Sequence, residues 1–165
     1  MKKVIIIGCP GSGKSIFARS LESLTGLPLH HLDMMYWNKD KTTVTKDIFI
    51  KRLQSVMEKD SWIIDGNYQS SMEMRLGECD TVFFLDYSTQ VCLEGIRSRK
   101  GKARSDIPFV DDENDEEFIS FIKEYNSKVR PQVISLLEKY RDRNIIVFNS
   151  REESENFLSS FERMN

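Results

Sequence analysis

Gly8-Cys9-Pro10-Gly11-Ser12-Gly13-Lys14-Ser15 fills every position of the pattern G-x-x-x-x-G-K-[ST], and its reading decides the fold. The residues before it, Val4-Ile5-Ile6-Ile7, form an apolar run with the character of a buried strand. Those after it, from Ile16 to Leu24, have helical spacing, with Phe17, Leu21 and Leu24 on one face. Strand, glycine loop and helix in that order make a phosphate cradle. The glycines let the backbone turn tightly and approach a ligand closely. The loop amides then point at phosphate oxygens, and the helix adds the positive end of its dipole. Lys14 supplies a charge for the outer phosphates, and the Ser15 hydroxyl is a ligand for Mg²⁺. By average residue usage the pattern arises by accident in a chain of this size on the order of one time in a hundred. Binding of Mg·ATP by residues 8–15 is the first expectation.

A chain of 165 residues has the size of one domain, and 39% hydrophobic with 30% charged residues is the composition of a soluble globular protein. A net charge of −2 argues against a sequence-independent nucleic-acid binder, which needs a clear basic excess. Direct DNA binding is therefore not expected. Cys9, Cys79 and Cys92 are odd in number and lack metal-ligand spacing, which fits a reducing, cytoplasmic setting. Met1-Lys2-Lys3 followed by apolar residues has the look of a leader, and Ile6-Ile7-Gly8-Cys9 that of a lipoprotein cleavage site. Four apolar residues are too few for a secretory core, and the phosphate loop accounts for Gly8 and Cys9. No run approaches transmembrane length, so no membrane partner is expected.

Five runs have the character of buried parallel strands: residues 4–8, 27–32, 61–65, 81–86 and 144–149. Helical patterns lie between them at 13–25, 45–59, 69–76 and 89–100, with a long one at 115–141 and a last one at 152–163. Strands alternating with helices predict an α/β fold, a three-layer α/β/α sandwich on a parallel sheet. Ligand sites in such folds gather at the carboxyl ends of the strands, which singles out Gly8, Asp33, Asp65, Asp86 and Asn149.

Residues 99–117 depart from this alternation. Arg97, Arg99, Lys100, Lys102 and Arg104 cluster around Gly101, and six carboxylates fall between Asp111 and Glu117. The basic half reads either as a solvated helix end or as an arginine-bearing lid that closes over the nucleotide. The acidic half reads as a helix N-terminus rather than a metal site. Two further aspartates close apolar strands. Asp65 precedes Gly66, where backbone approaches a ligand, and is preferred to Asp86 as the Mg²⁺-associated carboxylate. Asp86, shortly before Ser88, also suits a loop start or helix cap. His30 and His31 are adjacent on a strand, point to opposite faces and cannot easily share a metal, so at least one is a packed, hydrogen-bonded histidine. Asp33 is the candidate to take a proton from an acceptor hydroxyl as it attacks the γ-phosphate. Met34, Met35, Tyr36 and Trp37 follow it and line either an acceptor pocket or the core.

The loop, His31-Leu32-Asp33, Trp37, Trp62-Ile63-Ile64-Asp65-Gly66-Asn67-Tyr68, Arg75-Leu76 and Ala103-Arg104-Ser105-Asp106 occur in this order along the chain. Together they resemble the adenylate-kinase-like P-loop proteins often labelled DNA topology modulation proteins, or FlaR-related, over essentially the whole length. The resemblance implies sheet order 2-3-1-4-5, a single domain and a lid near residues 99–117. It implies that Asp65-Gly66 helps to hold Mg²⁺ through water, and that Arg99 is a lid arginine on the ATP phosphates. It makes Arg130 a second arginine facing the transferred group, Arg75 an acceptor-side contact, and Asn149-Ser150-Arg151 the loop passing the adenine. Three positions depart from adenylate kinases. Gly95 stands where they carry an arginine against the adenine, which leaves that role to Arg151. Asn67-Tyr68 replaces their sequence after aspartate-glycine, so an AMP acceptor is not implied. Ser105 replaces a proline often found between Arg104 and Asp106.

The expected function is ATP- and Mg²⁺-dependent phosphoryl transfer to a small-molecule acceptor, a nucleotide or another metabolite. Lys14, Asp33, Arg99 and Arg130 are the candidate catalytic residues; Trp37, Asn67, Arg75 and Asp33 face the acceptor; Ser15 and Asp65 serve the metal. The alternatives are a nucleotide-dependent regulator of DNA topology or of a protein partner, and an NTPase switch. A monomer is expected, with a dimer left open.

Overall fold

The computed structural model describes residues 1–111 and 115–164. Strand β1 (Lys3–Gly8) is the centre of the sheet, and Val4, Ile5, Ile6 and Ile7 have no exposed surface. It pairs in parallel with β3 (Trp62–Asp65) on one side and β4 (Thr81–Leu85) on the other. Strand β2 (Leu29–His31) adds beyond β3 and β5 (Asn144–Phe148) beyond β4, again in parallel. The order is β2-β3-β1-β4-β5.

The continuous apolar runs follow from helices on both faces, since each strand residue needs cover whichever way it points. Ile5, Ile7, Trp62, Ile64, Val82 and Phe84 face α3 (Lys46–Met57), α4 (Gln69–Glu78) and α7 (Arg130–Lys139). Their neighbours Val4, Ile6, Ile63, Phe83 and Leu85 face the other layer: α1 (Lys14–Thr25), α5 (Thr89–Arg99), α6 (Glu116–Lys128) and α8 (Arg151–Met164). Phe17 of α1 packs on Phe83 with ring centres 5.1 Å apart, and Phe148 stacks on Phe83 at 6.0 Å. The architecture is the expected three-layer α/β/α sandwich.

Three elements differ from the sequence reading. Strand β2 is three residues long, because Leu32 does not continue it; Leu32 opens a short helix, α2 (Leu32–Tyr36). Asp33 therefore lies in the first turn of a helix and not at a strand end. The long helix at 115–141 is two, α6 and α7, with the break at Val129–Arg130. Pro131 is the cause: it has no N–H to donate back into the preceding turn, and it suits the first turn of a new helix. Asp115 caps α6 by accepting from the Phe118 N–H at 2.9 Å, with Glu116 and Glu117 in the first turn, as the acidic run suggested. Residues 112–114 of that run lie outside the described residues. Among the described residues no helix is long and apolar enough to cross a membrane, and Cys9, Cys79 and Cys92 are buried free thiols.

Candidate active site

The phosphate loop leaves β1 at the carboxyl edge of the sheet and is held from three sides. The Asn67 amide oxygen accepts from the Gly8 N–H at 3.1 Å. Arg151, at the start of α8, donates to the carbonyls of Ser12 (3.3 Å) and Gly11 (3.2 Å) while its guanidinium lies 5.8 Å from the Tyr87 ring centre. From below, α5 touches the loop backbone to backbone. A Cβ on Gly95 would overlap the Gly11 carbonyl, and a Cβ on Gly11 (φ 84°) would overlap the Cys92 carbonyl. Gly95 is therefore a packing requirement: an arginine there would displace the loop. Lys14 folds its ammonium back to the Cys9 carbonyl at 3.2 Å. Burial lowers its pKa, with Asp65 opposing the shift.

Ser15 sits between two carboxylates. Its hydroxyl lies 2.8 Å from Asp65 Oδ2 and 3.0 Å from Asp106 Oδ2. The other Asp65 oxygen is 2.7 Å from His31 Nδ1. Burial pulls the His31 pKa down, but the hydrogen bond and charge of Asp65 outweigh it and the net shift is upward. His31 is thus the packed histidine of the pair, and register places it beside Asp65 across β2 and β3. Asp106 belongs to residues 100–111 and is clasped by Arg104 at 2.9 and 2.5 Å. Burial raises the Asp106 pKa, yet the Arg104 pair and the Ser15 hydroxyl prevail and hold it at about 2. Arg19 reaches the same segment through the Ser105 hydroxyl at 3.0 Å.

Asp65 opens a turn that is pinned from beneath. Arg75, fully buried in α4, donates to the carbonyls of Gly66 (3.0 Å), Asn67 and Tyr68 (3.4 Å). Burial lowers its pKa to about 10. Arg75 was expected to contact the acceptor; the structure corrects this, because both its terminal nitrogens are used on backbone oxygens under the turn and it lines neither cavity. The clasp supports Tyr68 at φ 36°, a left-handed conformation costly for a side chain of this size. That conformation brings the Tyr68 hydroxyl to 2.6 Å from Asp33 Oδ1. Burial raises the Asp33 pKa; the Tyr68 bond works against that, and the charge of Asp65 adds to it.

Two cavities meet here. One, of about 390 Å³, is lined by the phosphate loop, Arg19, Asp65, Asn67, Tyr68, Phe121 and Arg151. The second, of about 590 Å³, is lined by Trp37, Lys41, Ile107, Phe109 and Ile119 among others. Asp33, Arg99, Arg104 and Phe118 line both. Trp37 lies only in the second and Asn67 only in the first. Burial, with Arg104 nearby, lowers the Arg99 pKa to about 10. Arg130 is the second correction. Its guanidinium grips Asp86 at 2.8 and 2.7 Å and lines neither cavity, because α7 begins beside the end of β4. That pair also occupies Asp86, which leaves Asp65 as the strand-end aspartate beside Ser15. Ser88, not Asp86, caps α5, accepting from the Val91 N–H at 3.3 Å.

The donor set fits Mg²⁺. Ser15, Asp65 and Asp106 offer hard oxygens on one hydroxyl, and no cluster of three His, Cys, Asp or Glu side chains suited to a metal occurs among the described residues. Mg²⁺ is held in this fashion, by one or two carboxylates with phosphate and water completing the shell. Asp106, Tyr68 and His31 were not assigned these contacts from the sequence. All three lie in motifs quoted above, but their contacts span 91, 35 and 34 residues and leave no local signal.

Sheet order and loop define the fold of a P-loop kinase of the nucleoside-monophosphate-kinase type. The chain is 28% identical over 88 residues to the adenylate kinases of Thermotoga petrophila, Thermotoga maritima and Thermotoga neapolitana. That match covers 52% of this chain and 39% of each relative, so well under half the length of those enzymes is represented. Among solved structures it is similar to shikimate kinase from Acinetobacter baumannii in complex with shikimate (TM-score 0.60, 15% identity, 100% of this chain and 95% of that one). A sugar kinase from Janibacter sp. HTCC2649 gives TM-score 0.56 at 17% identity, covering 97% and 91%. Shikimate kinase from Bacteroides thetaiotaomicron gives 0.56 at 18%, covering 98% and 96%. No protein-family model matches the sequence.

Proposed function

We propose that this protein transfers the γ-phosphoryl group of Mg·ATP to a small-molecule acceptor. The observation that carries the reading is the meeting of the two cavities at Asp33, Arg99 and Arg104, one cavity holding the phosphate loop and the other free for a second molecule. The loop amides and Lys14 cradle the nucleotide phosphates, and Arg151 lies where the base passes. Ser15 and Asp65, with Asp106 behind them, hold Mg²⁺, which when bound screens charge on the phosphates. Arg99 is placed to meet charge on the phosphoryl group in flight. Asp33 orients the attacking group of the acceptor and takes its proton as the new O–P bond forms and ADP departs. The adenylate-kinase match and the kinase folds support this reading. The likeness to proteins labelled for DNA topology modulation rests on sequence motifs, and the reading proposed for those motifs is phosphoryl transfer, not action on DNA. A cytoplasmic setting belongs to the same proposal, supported by three unpaired cysteines.

The test is a pair of variants. Lys14→Ala should abolish tight Mg·ATP binding by calorimetry with the circular dichroism spectrum unchanged. Asp33→Asn should leave that affinity intact and lower transfer by ~10²–10⁴-fold. Unchanged affinity in folded Lys14→Ala would sink the reading.

A further inference from the structure

We infer that the second cavity selects an unphosphorylated alcohol carried on a planar ring, a nucleoside-like molecule, and not a nucleoside monophosphate. The inference rests on the phosphoryl-transfer reading above and names its acceptor. The first ground is charge at the junction. A phosphate acceptor has to bring an anion to the attacking position, which needs a cation on the acceptor side. Asp33 stands there beside Arg99, which the reading above places on the phosphoryl group in flight, and Tyr68 donates to one of the two Asp33 oxygens. Arg75 is spent on three backbone carbonyls, and Arg52, the other arginine near α2, donates to the Met35 carbonyl at 2.8 Å. Arg104 is clasped by Asp106. Lys41, Arg97 and Lys100 line the cavity too, but they are exposed residues at its rim. A hydroxyl suits the junction; it donates to the open Asp33 oxygen and yields its proton there.

The second ground is the wall. Away from the junction the less exposed lining is apolar apart from Asp111: Trp37, Ile107, Phe109, Phe118 and Ile119. Trp37 and Phe109 meet at 81° with ring centres 5.6 Å apart, an aromatic corner that a flat ring can lie against. Lys41 covers one face of Phe109 at 5.7 Å, and Tyr36 meets Trp37 at 84° with ring centres 5.4 Å apart. A cavity of about 590 Å³ has room for a bicyclic ring with its hydroxyl-bearing arm. A ring-free polyol would leave that aromatic wall unused.

The full-length protein with Mg·ATP should be offered nucleosides, nucleoside monophosphates and ring-free polyols in separate reactions, with products identified by ³¹P NMR. Nucleosides should give a phosphomonoester, and the same compounds should quench Trp37 fluorescence over a constant background from Trp62, which is fully buried and lines neither cavity. Phe109→Ala should raise the acceptor KM about tenfold with kcat and the KM for ATP little changed. An anhydride product from monophosphates, or equal turnover of polyols, overturns the assignment. Tight Mg·ATP binding with no nucleoside turnover also overturns it while leaving the nucleotide site standing. Loss of Mg·ATP binding altogether would instead defeat the underlying kinase reading.

Discussion

Asp33 and Asp65 carry like charge near one another but have different partners. Asp65 is tied to Ser15 and His31. Asp33 has one donor, Tyr68, and burial raises its pKa against that bond. A raised carboxylate is a better proton acceptor, and it sets an acid limb on the rate above the usual carboxylate range. The Tyr68 bond opposes the rise, so Tyr68→Phe should shift the acid limb of kcat to still higher pH. A limb that stays put or moves down, in a pH profile with saturating acceptor, would remove Asp33 from the proton path. The two strand-end aspartates separate as well. Asp65→Asn should raise the Mg²⁺ needed for half-maximal activity by roughly 10–100-fold, the cost of losing an outer partner of a metal. Asp86→Asn should leave that requirement nearly unchanged and only loosen the pair with Arg130. Mg²⁺ titrations in which the two variants match would reverse the assignment.

At the scale of elements, the contact between α5 and the phosphate loop is the sharpest constraint. Glycine inside a helix ordinarily costs about 1 kcal/mol against alanine, so Gly95→Ala would be stabilising on propensity alone. The added methyl meets the Gly11 carbonyl, and overpacking of that kind costs about 1–3 kcal/mol. Overpacking wins, and the variant should melt lower than the parent and bind Mg·ATP more weakly. A higher melting temperature with unchanged affinity would show that α5 yields instead. The same elements show what a sequence discloses. Runs covered on both faces declare themselves, so β1, β3 and β4 were legible almost to the residue. The break between α6 and α7 was also written, in Pro131, but amphipathic spacing on either side masked it. Helix α2 was not legible: five residues are too few for a period, and only packing of Leu32 and Met35 makes the turn. Arg75 illustrates the harder case, since nothing local distinguishes a cation that binds substrate from one that holds a backbone turn.

Across the whole molecule, the loop and its charge partners were legible while the distant ties were not. Asp106 reaches Ser15 over 91 residues of chain, and Arg151 reaches Ser12 over 139. Arg151→Ala should lower Mg·ATP affinity while shifting the melting temperature little, because the residue is exposed and the loop keeps its Asn67 and α5 supports. An unchanged affinity in calorimetry would make Arg151 a surface tie only. Its position along the chain also orders events at the ribosome. The phosphate loop is synthesised before the guanidinium that braces its carbonyls, which follows 139 residues after Ser12. At about 5–20 residues per second, roughly 7–28 s separate them. In that interval β3, β4 and α5 are made, but the loop still lacks its Arg151 brace. Until Arg151 arrives, the loop of the growing chain is held by Asn67 and α5 alone.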